Sequence, residues 1–497
     1  MNENEKVVEN QEEASKVQEN NATVIKTDAD AKDGQNKCPK CGATDISLNS
    51  KNGKLRCNFC RHEFEPEKLD TMEKDISKLE GEIVGSGATN IIADTNDMVT
   101  FKCSSCGAEV VVDTAKATQA RCHWCRNTLS VNQQIPNGAI PDTVLPFSIP
   151  KKEAKEAIEK FVGKRKFFAH PMFRKEFTTD NVMGVYLPYM IVDANTHVNL
   201  KGQGEHETRR WTEKNGDDYD TYYDADLYDV ERDFDLTIEG LTVESSKDKL
   251  DTGSKDKTNN IINSIMPFDT ENCVKWDANY IKGYTSEKRD TNVEELKGLV
   301  QEQSKDVARF AANKTLEFYD RGVRWDSENL EVKGQQWKSA YLPVWLYSYQ
   351  QKKGNKSLLH YVAVNARTKE TMGSVPIHMP KLVLISALVE ILGIIAMIFT
   401  KTDDNNWPWL FLLSGIIYFW LMHSRYRNSG ARHSHETETK TNMTNLREYD
   451  KFVTKRRRLA SAEELEHVLS VIQNEEDLII LQWKVQITQK LKEIQIN

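Results

Sequence analysis

Eight of the nine cysteines fall into two copies of one pattern, and no other feature restricts the fold as much. Cys38, Cys41, Cys57 and Cys60 read C-x2-C-x15-C-x2-C, and Cys103, Cys106, Cys122 and Cys125 repeat it with each cysteine displaced by 65 positions. Two residues between paired cysteines let one tight turn present both sulfurs. Fifteen between pairs suffice for a strand, a turn and a return strand. The pattern predicts two structural Zn²⁺ ions, each held by four thiolates. A segment of about 30 residues cannot bury an adequate apolar core. Metal would supply most of its folding free energy, about 10–16 kcal/mol apparent per site. Asn52-Gly53 supplies the first hairpin turn, and Val110 to Val112 a β-branched run in the second copy. Redox C-x-x-C motifs do not come as matched pairs at this spacing. With four sulfurs per site, His62 and His123 read as surface residues, and no coordination position is left for a catalytic water. Thiolates at this density persist where the compartment is reducing, which places this end in the cytoplasm.

Charge bears on whether the ribbons touch nucleic acid. Residues 37–65 carry six Lys/Arg against three Asp/Glu, and residues 99–130 carry four against two. A Zn(Cys)₄ centre adds a formal charge of about −2, from Zn²⁺ and four thiolates. Each ribbon is therefore near neutral, a weak footprint for phosphate binding. The whole chain has a formal net charge of −8. Nucleic acid is not the favoured partner.

Leu382 to Phe399 is an 18-residue apolar run broken only by Glu390, and Trp407 to Met422 is a second run. As helices they measure about 27 and 24 Å, close to a hydrocarbon core of ~30 Å. Trp407, Trp409, Trp420 and Tyr426 sit where interfacial aromatics belong. Arg425, Arg427 and Arg432 follow the second run, while Asp403 and Asp404 lie in the connection. The expectation is a two-span hairpin in the cell membrane with both termini cytoplasmic. Glu390 either contacts a partner span, including a second copy of the chain, or is merely tolerated.

Residues 1–36 lack aromatic residues and read as a disordered acidic tail. Residues 66–98 read as a linker in which Gly85 and Gly87 make only a weak G-x-G. The aromatic-rich stretch 131–379 shows an internal echo: VYLPYMIVDANTHVNL from Val185 recurs as AYLPVWLYSYQQKKG from Ala340. Helical spacing appears at Lys151 to Val162 and Val293 to Glu317. Cys273 stands alone in ENCVKW and reads as an inert buried residue. His423 to Arg458 holds ten Lys/Arg against four Asp/Glu, a juxtamembrane segment suited to anionic lipid. Ser461 opens a capping box. The last twenty residues fit both a strand and a partner helix. No Walker, H-E-x-x-H, G-x-S-x-G or kinase motif is present, so no enzyme is expected.

Paired CPxCG-type knuckles, LPF before a Lys/Glu helix, the VYLPY and YLPVWLYSY strands, HYVAVNARTKETMGSVPI and the apolar runs together resemble bacterial membrane proteins with a transcription-factor-IIB-type zinc ribbon. The resemblance covers roughly residues 37–430 and is carried most specifically by YLPVW…NARTKETMGSVP. Relatives are labelled helicase-like or primosomal, but the ATPase motifs this requires are absent. The resemblance implies an anchor that recruits cytoplasmic or membrane partners of phage-shock or band-7 type. A second complete ribbon departs from many relatives.

The fold class expected is multidomain: two small β zinc ribbons (37–65 and 99–130), a duplicated α+β soluble domain (131–379), a transmembrane helical hairpin (380–423) and a basic cytoplasmic tail (424–497). The leading function is a non-enzymatic membrane-anchored scaffold in envelope stress. A membrane-tethered nucleic-acid-binding regulator is the alternative, and a ligand sensor using the aromatic domain is a third.

Overall fold

The computed structural model of the protein describes most of residues 141–460, much of 38–89 and short strands between 98 and 135. Residues 1–21, 28–37, 90–97, 136–140, 247–264, 401–410, 428–433 and 461–497, with shorter stretches between, lie outside the described residues. So do Cys103, Cys106, Cys122, Cys125 and His123, the capping box at Ser461 and the last twenty residues.

The strands, in chain order, begin with β1 (Ala22–Ile25), β2 (Ile46–Leu48), β3 (Leu55–Cys57), β4 (Glu63–Phe64) and β5 (Gly81–Gly85). Then come β6 (Met98–Lys102), β7 (Glu109–Asp113), β8 (Ala120–Arg121), β9 (Thr128–Leu129), β10 (Gln134–Ile135) and β11 (Thr143–Val144). Three long strands dominate the rest: β12 (Met183–Asn215), β13 (Asp218–Glu244) and, after β14 (Val274–Lys275) and β15 (Thr285–Glu287), β16 (Val323–Lys353). β17 (Lys356–Asn365), β18 (Thr371–Gly373) and β19 (Lys440–Leu459) complete the set. The α-helices are α1 (Lys151–Gly163), α2 (Pro171–Glu176), α3 (Val293–Asn313), α4 (Met379–Thr400), α5 (Ser414–Arg427) and α6 (His435–Glu438).

Two compact units emerge. The first comprises Met1–Ala194, Glu239–Val300 and Gly334–Lys440; the second comprises Asn195–Ile238, Gln301–Lys333 and Thr441–Asn497.

In the first unit a mixed sheet runs in the order β1-β5-β16-β12-β15-β7-β6-β10. Its centre is buried on both faces, as near-continuous apolar strands require. Alternation along β16 sends Tyr341, Trp345, Tyr347 and Tyr349 to one face, and Ala340, Leu342, Val344 and Leu346 to the other. α1 covers the first face with Ala154, Ile158, Phe161 and Val162, one helical stripe. Glu153 in its first turn and Lys160 in its last complement the helix dipole.

This architecture corrects the expected fold class. The echoed stretches are neighbouring strands, β12 and β16, of one mixed sheet, not two related α+β halves. Each is buried on both faces, so each needs a neighbour on either side, and the two supply one another. Within the segment read as a disordered tail, β1 pairs in parallel with β5, Ala22 opposite Glu82 and Ile25 opposite Gly85. Its Thr-Val-Ile run favours a strand.

The Gly-Ser-Gly of the presumed linker has a structural use. Asp142, 1 % exposed, accepts hydrogen bonds from the N–H of Gly87 (2.7 Å), the N–H of Ser339 (2.7 Å) and the Thr27 hydroxyl. A Cβ at Gly85 would lie 2.5 Å from the Asp142 carboxyl carbon, so the strand can pass only as glycine. Burial pushes the Asp142 carboxyl up, against the pull of these donors.

The transmembrane hairpin is also corrected. Among the described residues one helix, α4, is long and apolar enough to cross a membrane, over Met379–Phe399, and it is mostly exposed. Among the described residues the second run forms no matching span. α5 begins only at Ser414 and is 14 residues long, ending in the polar sequence His423-Ser-Arg-Tyr-Arg427. Its start is set by α4: the Gly415 N–H donates to Glu390 Oε2 at 2.7 Å, and the Ser414 hydroxyl donates to the Val389 carbonyl at 3.3 Å. The two helices cross closely, since a Cβ on Gly393 would meet Ser414 Oγ at 2.2 Å. Two spans with both termini cytoplasmic therefore do not follow from the structure.

In the second unit β13 pairs with β12 and β19. Burial alternates along both β12 and β13 here, the mark of a sheet with one covered face. Arg232, 1 % exposed, ties β19 down through Asp450 at 2.6 Å and donates to the Thr315 hydroxyl at 2.9 Å. On the outer face Asp235 receives Lys333, the Asn445 amide (2.8 Å) and His197 Nδ1 (2.9 Å). These donors hold its carboxyl well below the usual range, Lys333 contributing most.

Candidate metal centre

The first ribbon is a three-stranded antiparallel sheet, β2-β3-β4, with Ile46 opposite Cys57 and Leu55 opposite Phe64. Ile46 and Leu55 are its only large apolar anchors below 3 % exposure among the described residues, too little to fold so short a segment.

Each knuckle closes with the same backbone bonds. In the first, the Gly42 N–H donates to the Cys38 carbonyl at 2.8 Å and the Cys38 N–H donates to the Ala43 carbonyl at 2.9 Å. In the second, the Arg61 N–H donates to the Cys57 carbonyl at 3.0 Å and the Cys57 N–H to the His62 carbonyl at 2.9 Å. The residue after each second cysteine turns into the left-handed region, Gly42 at φ 72° and Arg61 at φ 61°. Glycine does this without strain, whereas Arg61 carries a small conformational cost that the site must offset.

The turns bring Cys38, Cys41, Cys57 and Cys60 together, all four sulfurs within 4.8 Å of one another. Cys38 Sγ lies 3.6 Å from Cys60 Sγ, and Cys41 Sγ 3.6 Å from Cys57 Sγ. A tetrahedral ion with metal–sulfur bonds of about 2.3 Å requires sulfurs about 3.8 Å apart. The arrangement can therefore bind a metal ion with four sulfur ligands.

The electrostatics point the same way. Backbone N–H groups of Cys60 and Phe59 aim at Cys57 and draw its thiol down to about 7. At Cys41 the Ala43 N–H favours the thiolate, but burial and the neighbouring sulfurs outweigh it and push the thiol up to about 12. Four thiolates so close repel one another unless a cation sits among them. His62 stacks on Phe64, ring centroids 6.1 Å apart.

The second cysteine set lies outside the described residues. The strands flanking it are described: β6 pairs antiparallel with β7, Val99 opposite Val112, and β8 with β9, Arg121 opposite Thr128.

Sequence reasoning missed a cavity of about 420 Å³ in the first unit, lined in part by Ile191, Asp193, Met266, Cys273 and Lys338. Asp193 accepts the Gly240 N–H, Gln336 Nε2 and Lys338 Nζ, each at 2.7 Å. Burial pushes the Cys273 thiol up to about 12, so it is protonated at neutral pH and not nucleophilic. Residues from eight separate segments form this wall, so no local signal marks it.

No known family profile matches the chain, and no solved structure matches it. The chain is similar to the uncharacterized protein YdjG of Bacillus subtilis (strain 168), with 24% identity over 346 residues that span 69% of this chain and 91% of the relative.

Proposed function

We propose that this protein is a non-enzymatic, membrane-anchored zinc-ribbon adaptor that recruits protein partners. The observation that carries the reading is the first ribbon's sulfur cluster. Its four cysteines fill a tetrahedral zinc site, leaving no position for water or substrate, which suits a structural ion and not a catalytic one. The ribbon then presents side chains on a metal-stiffened frame, and Phe59, 80 % exposed between the cysteines of the second knuckle, is the most prominent. The second cysteine set repeats the spacing and takes a second zinc ion in this reading. α4 is the anchor, because an apolar surface of its length left uncovered in water would be an aggregation hazard. The ribbons lie on the side of the membrane where thiols stay reduced.

The resemblance to bacterial membrane proteins with a transcription-factor-IIB-type ribbon supplies the partner class: membrane stress proteins of the phage-shock or band-7 type. The near-neutral charge of each ribbon speaks against phosphate as the ligand. Affinity capture of the full chain from solubilised membranes, with and without nuclease, tests this. Nuclease-resistant recovery of defined protein partners, lost in Phe59→Ser, is the expected result. Recovery of nucleic acid without protein partners would replace the adaptor with a nucleic-acid-binding regulator.

A further inference from the structure

Three histidines from separate segments meet where α4 begins. His170 immediately precedes α2, His378 immediately precedes α4, and His360 lies in β17. A β-bridge between Ala169 and Ile377 brings the first two together. It is fixed by the His170 N–H donating to the Pro376 carbonyl at 2.7 Å and the His378 N–H to the Phe168 carbonyl at 2.8 Å. Their rings lie 6.0 Å apart between centroids. His360 adjoins them through the same segment: its Nδ1 lies 3.2 Å from the hydroxyl of Ser374, two residues before the Pro376 whose carbonyl binds His170.

The hydrogen bonding of the rings is incomplete. His360 Nδ1 is engaged by the Ser374 hydroxyl at 3.2 Å, while its Nε2 is buried without a partner. His378 Nδ1 accepts the Lys381 N–H at 3.3 Å, which leaves its Nε2 available. His170 Nδ1 is buried without a partner. A buried ring nitrogen with nothing to bond is costly, and two in one cluster call for a shared ligand.

We infer that His170, His360 and His378 form a divalent transition-metal site, distinct from the zinc ribbons, at the base of the apolar helix α4. Two imidazoles on one ion at about 2.0–2.1 Å place their ring centroids about 5–5.5 Å apart, so His170 and His378 need to close by less than about 1 Å. Among the described residues only the ribbon cysteines already have every donor atom within 4.8 Å, so binding here requires rotation of the imidazole side chains. An all-imidazole donor set suits zinc, nickel or copper and not calcium or magnesium, which take oxygen ligands. Ser374 holds the His360 ring by the nitrogen not used for the metal, the usual orienting contact of a ligating histidine. The helix N-termini beside His170 and His378 oppose added positive charge, but only weakly against metal–nitrogen bonds. The Lys381 ammonium is held on the Phe167 carbonyl at 2.7 Å and over the Phe167 ring. Three protein ligands leave a coordination position open, unlike the four-sulfur ribbon.

The test uses the full chain in detergent with its ribbons loaded with zinc, dialysed against a mild chelator that leaves thiolate-bound zinc in place. Cobalt(II) is then titrated in. One further equivalent should bind, with ligand-field bands but no thiolate-to-cobalt charge transfer. His170→Gln, His360→Gln and His378→Gln should each abolish it, and Ser374→Ala should weaken it about 10–100-fold. Unchanged zinc content in each variant certifies that the ribbons remain folded. Absence of the extra equivalent in the parent, or its persistence in the His170→Gln/His378→Gln double variant, would overturn the site. Should a histidine variant lose its zinc, the parent titration and Ser374→Ala still decide, since undiminished affinity in Ser374→Ala would count against the site. None of these outcomes bears on partner recruitment by the ribbons.

Discussion

The Glu390 carboxylate on α4 accepts the backbone N–H of Gly415 at 2.7 Å, so the acid that interrupts the apolar run caps the helix that follows. An acceptor at a helix N-terminus satisfies one of its orphan donors and opposes its dipole. Glu390→Leu removes that acceptor and should cost up to about 1–3 kcal/mol. Glu390→Gln keeps a carbonyl oxygen in reach and should cost less. Melting temperatures in one detergent read the difference. If both variants melt together with the parent, the contact contributes nothing.

The first ribbon should be inseparable from its ion. Cys57 is fully buried and its sulfur is 3.6 Å from that of Cys41. Cys57→Ser should lower the metal content of the full chain by one ion and expose residues 38–64 to protease. Retained metal, or resistance equal to the parent, would count against a four-sulfur site.

The Asp142 junction should tolerate little. Gly85→Ala drives a methyl group into the carboxyl, and overpacking of this kind costs about 1–3 kcal/mol. Asp142→Asn turns one acceptor oxygen into a donor facing either the Ser339 N–H or the Gly87 N–H, with a similar penalty. Urea unfolding of both variants should shift to lower midpoints. A midpoint equal to the parent for Asp142→Asn would show that the junction is not needed for stability.

Acid sensitivity should arise at Asp235. Its carboxyl is held below the ordinary range by Lys333 first, then by Asn445 and His197. The unfolded chain therefore takes up this proton at a higher pH than the folded chain does. The stabilisation is present above the unfolded value of about 3.9 and is lost as pH falls through the folded value. Lys333→Met should flatten the acid limb of the urea-midpoint profile below about pH 4 and leave its neutral limb with the same slope. An acid limb as steep as the parent's would remove Asp235 from the account.

The parts that were legible in the sequence are those built from near neighbours. Cys38 and Cys41 sit on one turn, so spacing announces a shared ion. Ala154, Ile158 and Phe161 repeat at helical intervals, and α4 is continuous apolar chain. What could not be read depends on distant partners. The echo between β12 and β16 is visible as a pattern, but whether two similar strands lie side by side or in separate halves depends on which edges remain open. Glu390 looked like an appeal to an external partner because its acceptor role is fulfilled across a turn by a glycine amide, which has no side chain to notice. Asp142 collects donors 55, 115 and 197 positions away, and no local window contains them.

The Asp142 junction also bears on the order in which the chain is made. Thr27 and Gly87 emerge early from a ribosome, yet the carboxylate that joins them comes later, and the Ser339 amide that completes it comes later still. β5 has β1 on one edge but awaits Gly334–Trp337 of β16 for the parallel neighbour on the other. Pairings so far apart in sequence form slowly. Through most of synthesis the early strands stand with open edges, exposed to wrong pairing. Relief arrives just as the apolar α4 follows β16 out, so sheet closure and delivery of the helix to a bilayer fall in the same interval.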